Sequence, residues 1–187
     1  MDAENGIFRH LTDDGLIGDG TNYDCNVDGS VTAVPFYIQA PADEDYYITR
    51  LMWYFSDTNN WSANNFADFA APLTNGLMFA VQEADDTVTL DFTDVEPIKS
   101  NKQFHAMFYD ADPVSYGAGD DSLVGRWTFT KDFGGEPLKL KGGDGTVGQK
   151  LVLTVQDNLT LATAFHVKVR GFKASRPLSY NNEVVAV

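Results

Sequence analysis

The chain of 187 residues contains a single cysteine, Cys25, so no disulfide can form within it. Secreted domains of this size often rely on several disulfides, so their lack indicates a reducing compartment or stability gained by oligomerisation. The opening residues MDAEN are acidic and polar, whereas a signal peptide begins basic and then becomes apolar. No apolar run approaches the roughly 20 residues that cross a bilayer. We therefore expect a protein made in the cytoplasm, without a membrane segment.

Positive charge is also scarce. The 13 Lys and Arg residues stand against 27 Asp and Glu, which gives a formal net charge of −14. Such a field repels phosphate backbones, so we expect no nucleic-acid partner.

The residue types that carry out catalysis are few, and they do not occur at catalytic spacings. No His-x-His pair of the cupin metal site occurs around the three histidines, His10, His105 and His166. Gly-x-Ser-x-Gly is absent, and the glycine-rich stretch 142–150 lacks the Gly-Lys-Ser/Thr ending of a phosphate-binding loop. The Asp-rich loops do not match a calcium-binding loop either. We expect no enzymatic activity, no cofactor and no metal site.

The sequence does contain a strong strand pattern. Segments rich in β-branched and aromatic residues alternate with clusters of Gly, Pro, Asp and Asn, which is typical of successive strands. The predicted strands are 31–39, 46–56, 77–83, 87–93, 103–109, 124–131, 150–156 and 163–172, with a possible short strand at 137–141. Without room for crossover helices the strands must be antiparallel.

This pattern predicts an all-β fold, an antiparallel, jelly-roll-like β-sandwich of about eight strands. An up-and-down barrel is the alternative, although the long connection at 57–76 suits a Greek-key topology better. Residues 1–30 are rich in Asp, Gly and Asn and read as an extended N-terminal arm. The predicted sandwich domain covers 31–173, and 174–187 form a C-terminal tail.

The segment 150–173 has the clearest alternation in the chain. Leu151, Leu153 and Val155 share one face of the first strand, and an Asp-Asn turn follows. In the second strand Phe165, Val167 and Val169 share one face, while Lys168 and Arg170 point the opposite way. The segment predicts a half-buried pair of strands at the centre of the sandwich.

The strand YYITRLMWYF is apolar on both faces. Strict alternation places Tyr47, Thr49, Leu51, Trp53 and Phe55 on one face and Ile48, Arg50, Met52 and Tyr54 on the other. Such a strand has to be covered from outside, either by the loop 57–76 or by another subunit. If another subunit covers it, we expect the oligomer or capsid interface at Trp53, Tyr54, Trp61, Phe66 and Phe69, because aromatic residues dominate interface energetics.

Three segments, 35–58, 73–81 and 151–173, together resemble small virion structural proteins of tailed bacteriophages. This group includes head-decoration or cement, head-spike-base, and neck or tail accessory proteins. The resemblance implies a non-enzymatic sandwich subunit of the virion that assembles as a symmetric homo-oligomer, often a trimer. The implied partners are copies of the chain itself and the major capsid protein or other virion proteins.

A second hypothesis is a carbohydrate-binding, lectin-like receptor-binding module. In the loop DTNNWSANNF, Trp61 could stack on a sugar ring while Asn59, Asn60 and Asn64 bind its hydroxyl groups.

Overall fold

The computed structural model describes residues 6–15, 23–57, 64–67, 69–93, 96–103, 110–115, 121–132, 134–162 and 164–175. Within these ranges the strands are β1 (Gly6–His10), β2 (Val34–Gln39), β3 (Glu44–Asp57), β4 (Leu77–Gln82), β5 (Val88–Asp91), β6 (Asp110–Ser115), β7 (Asp121–Thr128), β8 (Leu138–Leu140), β9 (Lys150–Val155) and β10 (Ala164–Ser175). A short helix follows β7 at Phe129–Asp132. No helix in the described ranges is long and apolar enough to span a membrane.

The strands form two antiparallel sheets that pack face to face. Sheet A has the order β1-β10-β3-β7-β6, with β8 also pairing with β3, and sheet B has the order β2-β9-β4-β5. Every pairing between these strands is antiparallel. The predicted all-β antiparallel sandwich is confirmed, and the described ranges hold ten strands where about eight were expected.

Most of the predicted strands are confirmed to within three residues at each end: 31–39, 46–56, 77–83, 87–93, 124–131, 150–156 and 163–172. The possible strand at 137–141 forms β8. Of the predicted strand 103–109 the structure describes only Gln103, which is helical, and the next described strand begins at Asp110. Residues 104–109 lie outside the described ranges.

The core lies between the sheets and consists of the alternate residues that the sequence indicated. Leu151, Leu153 and Val155 of β9 are fully buried, as are Phe165, Val167 and Val169 of β10. However, β9 belongs to sheet B and β10 to sheet A, so they face each other across the core. The Asp-Asn segment is therefore a connection between the sheets, and the half-buried pair consists of one strand from each sheet.

A β-bulge in β3 changes which residues point into the core. Arg170 pairs with Arg50, whereas the next residue, Gly171, pairs with Ile48, so Thr49 is the extra residue. Before the bulge Tyr46 and Ile48 are buried; after it the buried residues are Leu51, Trp53 and Phe55. The prediction from strict alternation was therefore wrong before the bulge, where Ile48 and not Tyr47 shares the buried face with Leu51, Trp53 and Phe55.

The predicted N-terminal arm is partly integrated into the sandwich. Residues Gly6–His10 form β1, which pairs with β10 at the edge of sheet A. Leu11 and Cys25 are fully buried, and the carboxylate of Asp24 accepts a hydrogen bond from the amide of Phe165 at 3.1 Å. The domain therefore begins well before residue 31, because this segment covers one edge of the core. At the other end β10 continues to Ser175, and 176–187 lie outside the described ranges.

We predict that Gly125→Ala destabilises the protein by about 2 kcal/mol, because overpacking a filled core costs about 1–3 kcal/mol. Gly125 is the cross-strand partner of Trp53, and a methyl group added there would overlap the Trp53 indole ring. Urea unfolding of wild type and variant measures the change.

The control is Gly145→Ala, where nothing lies within 4 Å of the added methyl group and only the positive φ of 68° opposes it. We expect this variant to lose about 1 kcal/mol or less. Equal losses in both variants would show that the Trp53 contact does not matter.

Candidate functional site

An open cleft lies at the end of the sandwich where the chain passes from β9 to β10. We call it the loop-end cleft. It has a volume of about 450 Å³ and is lined by Ser30, Phe69, Ala70, Ala71, Pro72, Leu73, Thr74, Asp157, Asn158 and Leu161. Three loops that are distant in sequence meet there.

The Asp157 carboxylate fixes one wall of the cleft. It accepts hydrogen bonds from the backbone amides of Thr74 at 2.9 Å, Asn75 at 3.0 Å and Gly76 at 2.6 Å. The Asn75 side chain returns a bond to the Gln156 carbonyl at 2.9 Å. This set of bonds ties the loop before β4 to the end of β9, so the wall is rigid.

The neighbouring part of the cleft is held by a second set of polar contacts. The Asn158 side chain donates to the Asp28 carboxylate at 3.2 Å and accepts from the Thr160 amide at 3.0 Å. Hydrogen bonds from the Ser30 hydroxyl and amide to Asp28 lower the pKa of that carboxyl below its ordinary value. Residues 28–30 and 158–160 therefore form one ordered rim.

The surface of the loop-end cleft is largely apolar and uncharged. Leu161 is 82% exposed, and Val31, next to the lining residue Ser30, is 93% exposed. Asp157 is the only charged residue among the described lining residues, and its carboxylate is already bound by three amides. Two exposed apolar side chains beside one cleft make this rim a candidate for a contact with another protein.

Two of the predicted interface residues lie in the core. Trp53 is 1% exposed and Phe66 is fully buried. The Phe66 ring packs edge-on against Phe55, with ring centroids 5.1 Å apart. Asn101 holds the loop down, since its side chain accepts a bond from the Ala67 amide at 2.9 Å and donates to the Ala67 carbonyl at 3.2 Å. Trp53 and Phe66 therefore stabilise the fold and do not present their rings to another chain.

The other predicted contact residues occupy different places. Phe69 is partly buried and lines the loop-end cleft. Tyr54 is half-buried on the outer face of sheet A. Trp61, together with Asn59 and Asn60 of the carbohydrate hypothesis, lies outside the described residues, whereas Asn64 is exposed.

A cluster of histidine and tyrosine rings lies on the outer face of sheet A. The His10 ring stacks on Tyr23 with centroids 4.3 Å apart, and Tyr23 lies 4.9 Å from His166. Burial, with smaller contributions from Lys168 and His166, lowers the pKa of His10 from 6.5 to about 4. Burial also lowers the pKa of His166, although the nearby Asp24 opposes the shift. Both imidazoles are therefore neutral at pH 7.

The described side chains do not form a recognisable catalytic or metal centre. No group of three or more His, Cys, Asp or Glu residues in the described ranges is placed to hold a metal ion. The Cys25 thiol is fully buried, and burial raises its pKa well above the ordinary value, so it is a poor nucleophile.

Comparisons with protein-family models, curated proteins and solved structures gave no significant match.

Sequence reasoning missed the loop-end cleft itself. Val31 and Leu161 stand in polar loops, SVTAV and NLTLAT, where an isolated apolar residue carries little signal. Asp157 looked like part of a simple turn, because its partners at 74–76 are more than 80 positions away. The only available signal was an apolar residue beside a threonine at each rim: Val31 before Thr32, and Leu161 after Thr160.

We predict that Asp157→Ala destabilises the protein by about 3 kcal/mol, since it leaves amide donors at 74–76 without their acceptor, each costing about 1–3 kcal/mol. Chemical denaturation measures the loss. Asp85→Ala is the control, because Asp85 is exposed and bonds only within its own turn, to Thr87. The role of Asp157 as a tie between loops is refuted if both substitutions cost the same.

We also predict that stability falls as the pH drops from about 6.5 to about 4. In this window the unfolded chain protonates His10 while the folded chain keeps it neutral, so acid favours unfolding. His10→Phe keeps the stacking ring but removes the titration, so its unfolding free energy should change less between pH 7 and pH 5.

Asp28→Asn is the control for this pH effect, because hydrogen bonding places the Asp28 titration below the window. In this variant the unfolding free energy should change between pH 7 and pH 5 by the same amount as in the wild type. If the unfolding free energy of His10→Phe changes with pH as much as that of the wild type, His10 does not titrate as described.

Proposed function

We propose that this chain is a non-enzymatic structural subunit of a tailed-bacteriophage virion, which decorates or cements the head or serves as a head accessory. It would be made in the host cytoplasm and assemble as a symmetric oligomer, with a trimer favoured. Its partners would be its own copies and the major capsid protein or another virion protein. A neck or tail accessory is the alternative position on the particle.

The observation that carries this proposal is the apolar rim of the loop-end cleft. With a net charge of −14, copies of the chain repel one another, and this repulsion is weakest where the surfaces that meet carry little charge. The loop-end cleft offers such a surface, because the side chains of Leu161 and Val31 at its rim are exposed to solvent. Phe69, expected from the sequence at an interface, lines the same cleft.

The strand order gives separate support and extends the proposal to a jelly-roll topology. If β6 and β8 are set aside as additions, the sheets read β1-β10-β3-β7 and β2-β9-β4-β5. The first strand, β1, then neighbours the last strand, β10, and β2 neighbours β9. This is the order produced when a long antiparallel hairpin rolls up, and jelly rolls are common among viral capsid domains.

We predict that Leu161→Glu dissociates the oligomer. Burying a leucine contributes about 2 kcal/mol, so losing it in an interface weakens each contact by roughly 30-fold or more, and the new charge adds repulsion. Size-exclusion chromatography with light scattering over a range of concentrations measures the mass of wild type and variant.

The matched control is Val147→Glu, which puts the same charge at a residue that is 53% exposed near the other end of β9. This variant should keep the mass of the wild-type oligomer.

Mass spectrometry of purified virions from the source of the chain tests the virion assignment separately. A wild type that stays monomeric and is missing from particles would overturn the proposal.

A further inference from the structure

The outer face of sheet A carries positive charge in an otherwise acidic chain. Residues that alternate with the buried ones point outward there, and the strand register places four cations side by side. Arg50 is opposite Arg170, and Lys168 and Arg126 both pair with Met52 in the neighbouring row. These four positions carry positive charge although the chain has a net charge of −14, while on the far side of β7 the register places Asp110 opposite Arg126.

Arg50 and Arg170 are the unusual members of this group. They are direct cross-strand neighbours on β3 and β10, an arrangement in which like charges are destabilising. No carboxylate among the described residues is paired with either guanidinium. By contrast, Lys139 pairs with Asp45 at 2.6 Å and Lys173 with Glu44 at 3.1 Å.

A cavity opens directly beside this arginine pair. Its volume is about 310 Å³, and it is lined by Thr49, Arg50, Thr128, Thr130, Arg170, Gly171 and Phe172. We call it the arginine pocket. The bulge creates it, because the extra residue Thr49 bends β3 away from the regular ladder.

The arginine pocket contains a hydrogen-bond donor that no described residue satisfies. The Nε of half-buried Arg50 is buried and has no hydrogen-bond partner among the described residues. The Thr49 hydroxyl donates to the Arg170 carbonyl at 3.0 Å, which holds the bulge in place. Thr128 is the cross-strand partner of Arg50 on the other side and adds a hydroxyl to the same row.

We propose that the arginine pocket binds a phosphate or sulfate group. Guanidinium groups present paired N–H donors that match the oxygens of such anions, and the Thr128 hydroxyl adds a further donor. A doubly charged oxyanion relieves the repulsion between Arg50 and Arg170 and gives the buried Nε an acceptor. A carboxylate, with a single charge, offsets this repulsion less. The group is either a free ion or part of a sulfated sugar.

Isothermal titration at constant ionic strength tests the proposal with four probes: inorganic phosphate, inorganic sulfate, N-acetylglucosamine 6-sulfate and unsulfated N-acetylglucosamine. We expect saturable binding of the first three and none of the fourth. Similar affinities for sulfate and the sulfated sugar indicate a site for the ion itself, whereas much tighter binding of the sugar identifies a sulfated glycan as the source.

Arg170→Ala should weaken binding at least about tenfold, the loss expected for one charge-assisted pair. Arg170 is exposed, so the fold should tolerate the change. Arg126→Ala removes an exposed arginine from the same face outside the arginine pocket, and its affinity should stay within about twofold of wild type. Arg50→Lys keeps the charge but removes the Nε donor, and binding should weaken here too.

The proposal is overturned if no probe binds, or if Arg170→Ala and Arg126→Ala lower the affinity equally, since the second result indicates a diffuse attraction to the cationic surface. Circular dichroism and thermal melting of each variant establish that it is folded before titration. The result is independent of the virion assignment, because it depends on neither oligomer mass nor the presence of the chain in particles.

Discussion

Strands β3 and β10 pair along nearly their whole lengths, from Ser56 opposite Ala164 to Glu44 opposite Ser175. This ladder forms the middle of sheet A, and both β1 and β7 are placed by it. Its single irregularity, the bulge at Thr49, decides which side chains of β3 enter the core. Gly171 is required opposite the bulge, because a side chain there would overlap the Tyr47 carbonyl.

Both candidate sites depend on the same ladder but lie at different positions along it. The loop-end cleft forms just before β10 begins, where the connection from sheet B enters sheet A. The arginine pocket lies further along, at the bulge. One is apolar and almost without charge, and the other is cationic. The two proposals therefore concern separate surfaces and can be tested independently.

The sequence predicts features that depend on local pattern. Period-two alternation identified the buried residues of β9 and β10 because each strand has one face in the core. The bulge was not predictable, since it depends on how β10 pairs with β3. Its only trace in the sequence is Gly171, the residue of β10 that lies opposite the bulge. β1 was missed because its partner, β10, lies at the far end of the chain. The same limit hid both sites: Asp157 and its amides, and Arg50 and Arg170, are brought together only by the fold.

The position of Cys25 makes it a natural reporter for the N-terminal segment. Its amide donates to the Phe165 carbonyl at 2.8 Å, and its thiol is sealed where this segment closes over β10. A thiol reagent can reach it only when that segment lifts from the sheet. Because the chain has no other cysteine, alkylation under native conditions reports on Cys25 alone. When closing is faster than alkylation, the rate gives the free energy of the opening that exposes the thiol, and a value below the global free energy of unfolding identifies local opening of this segment.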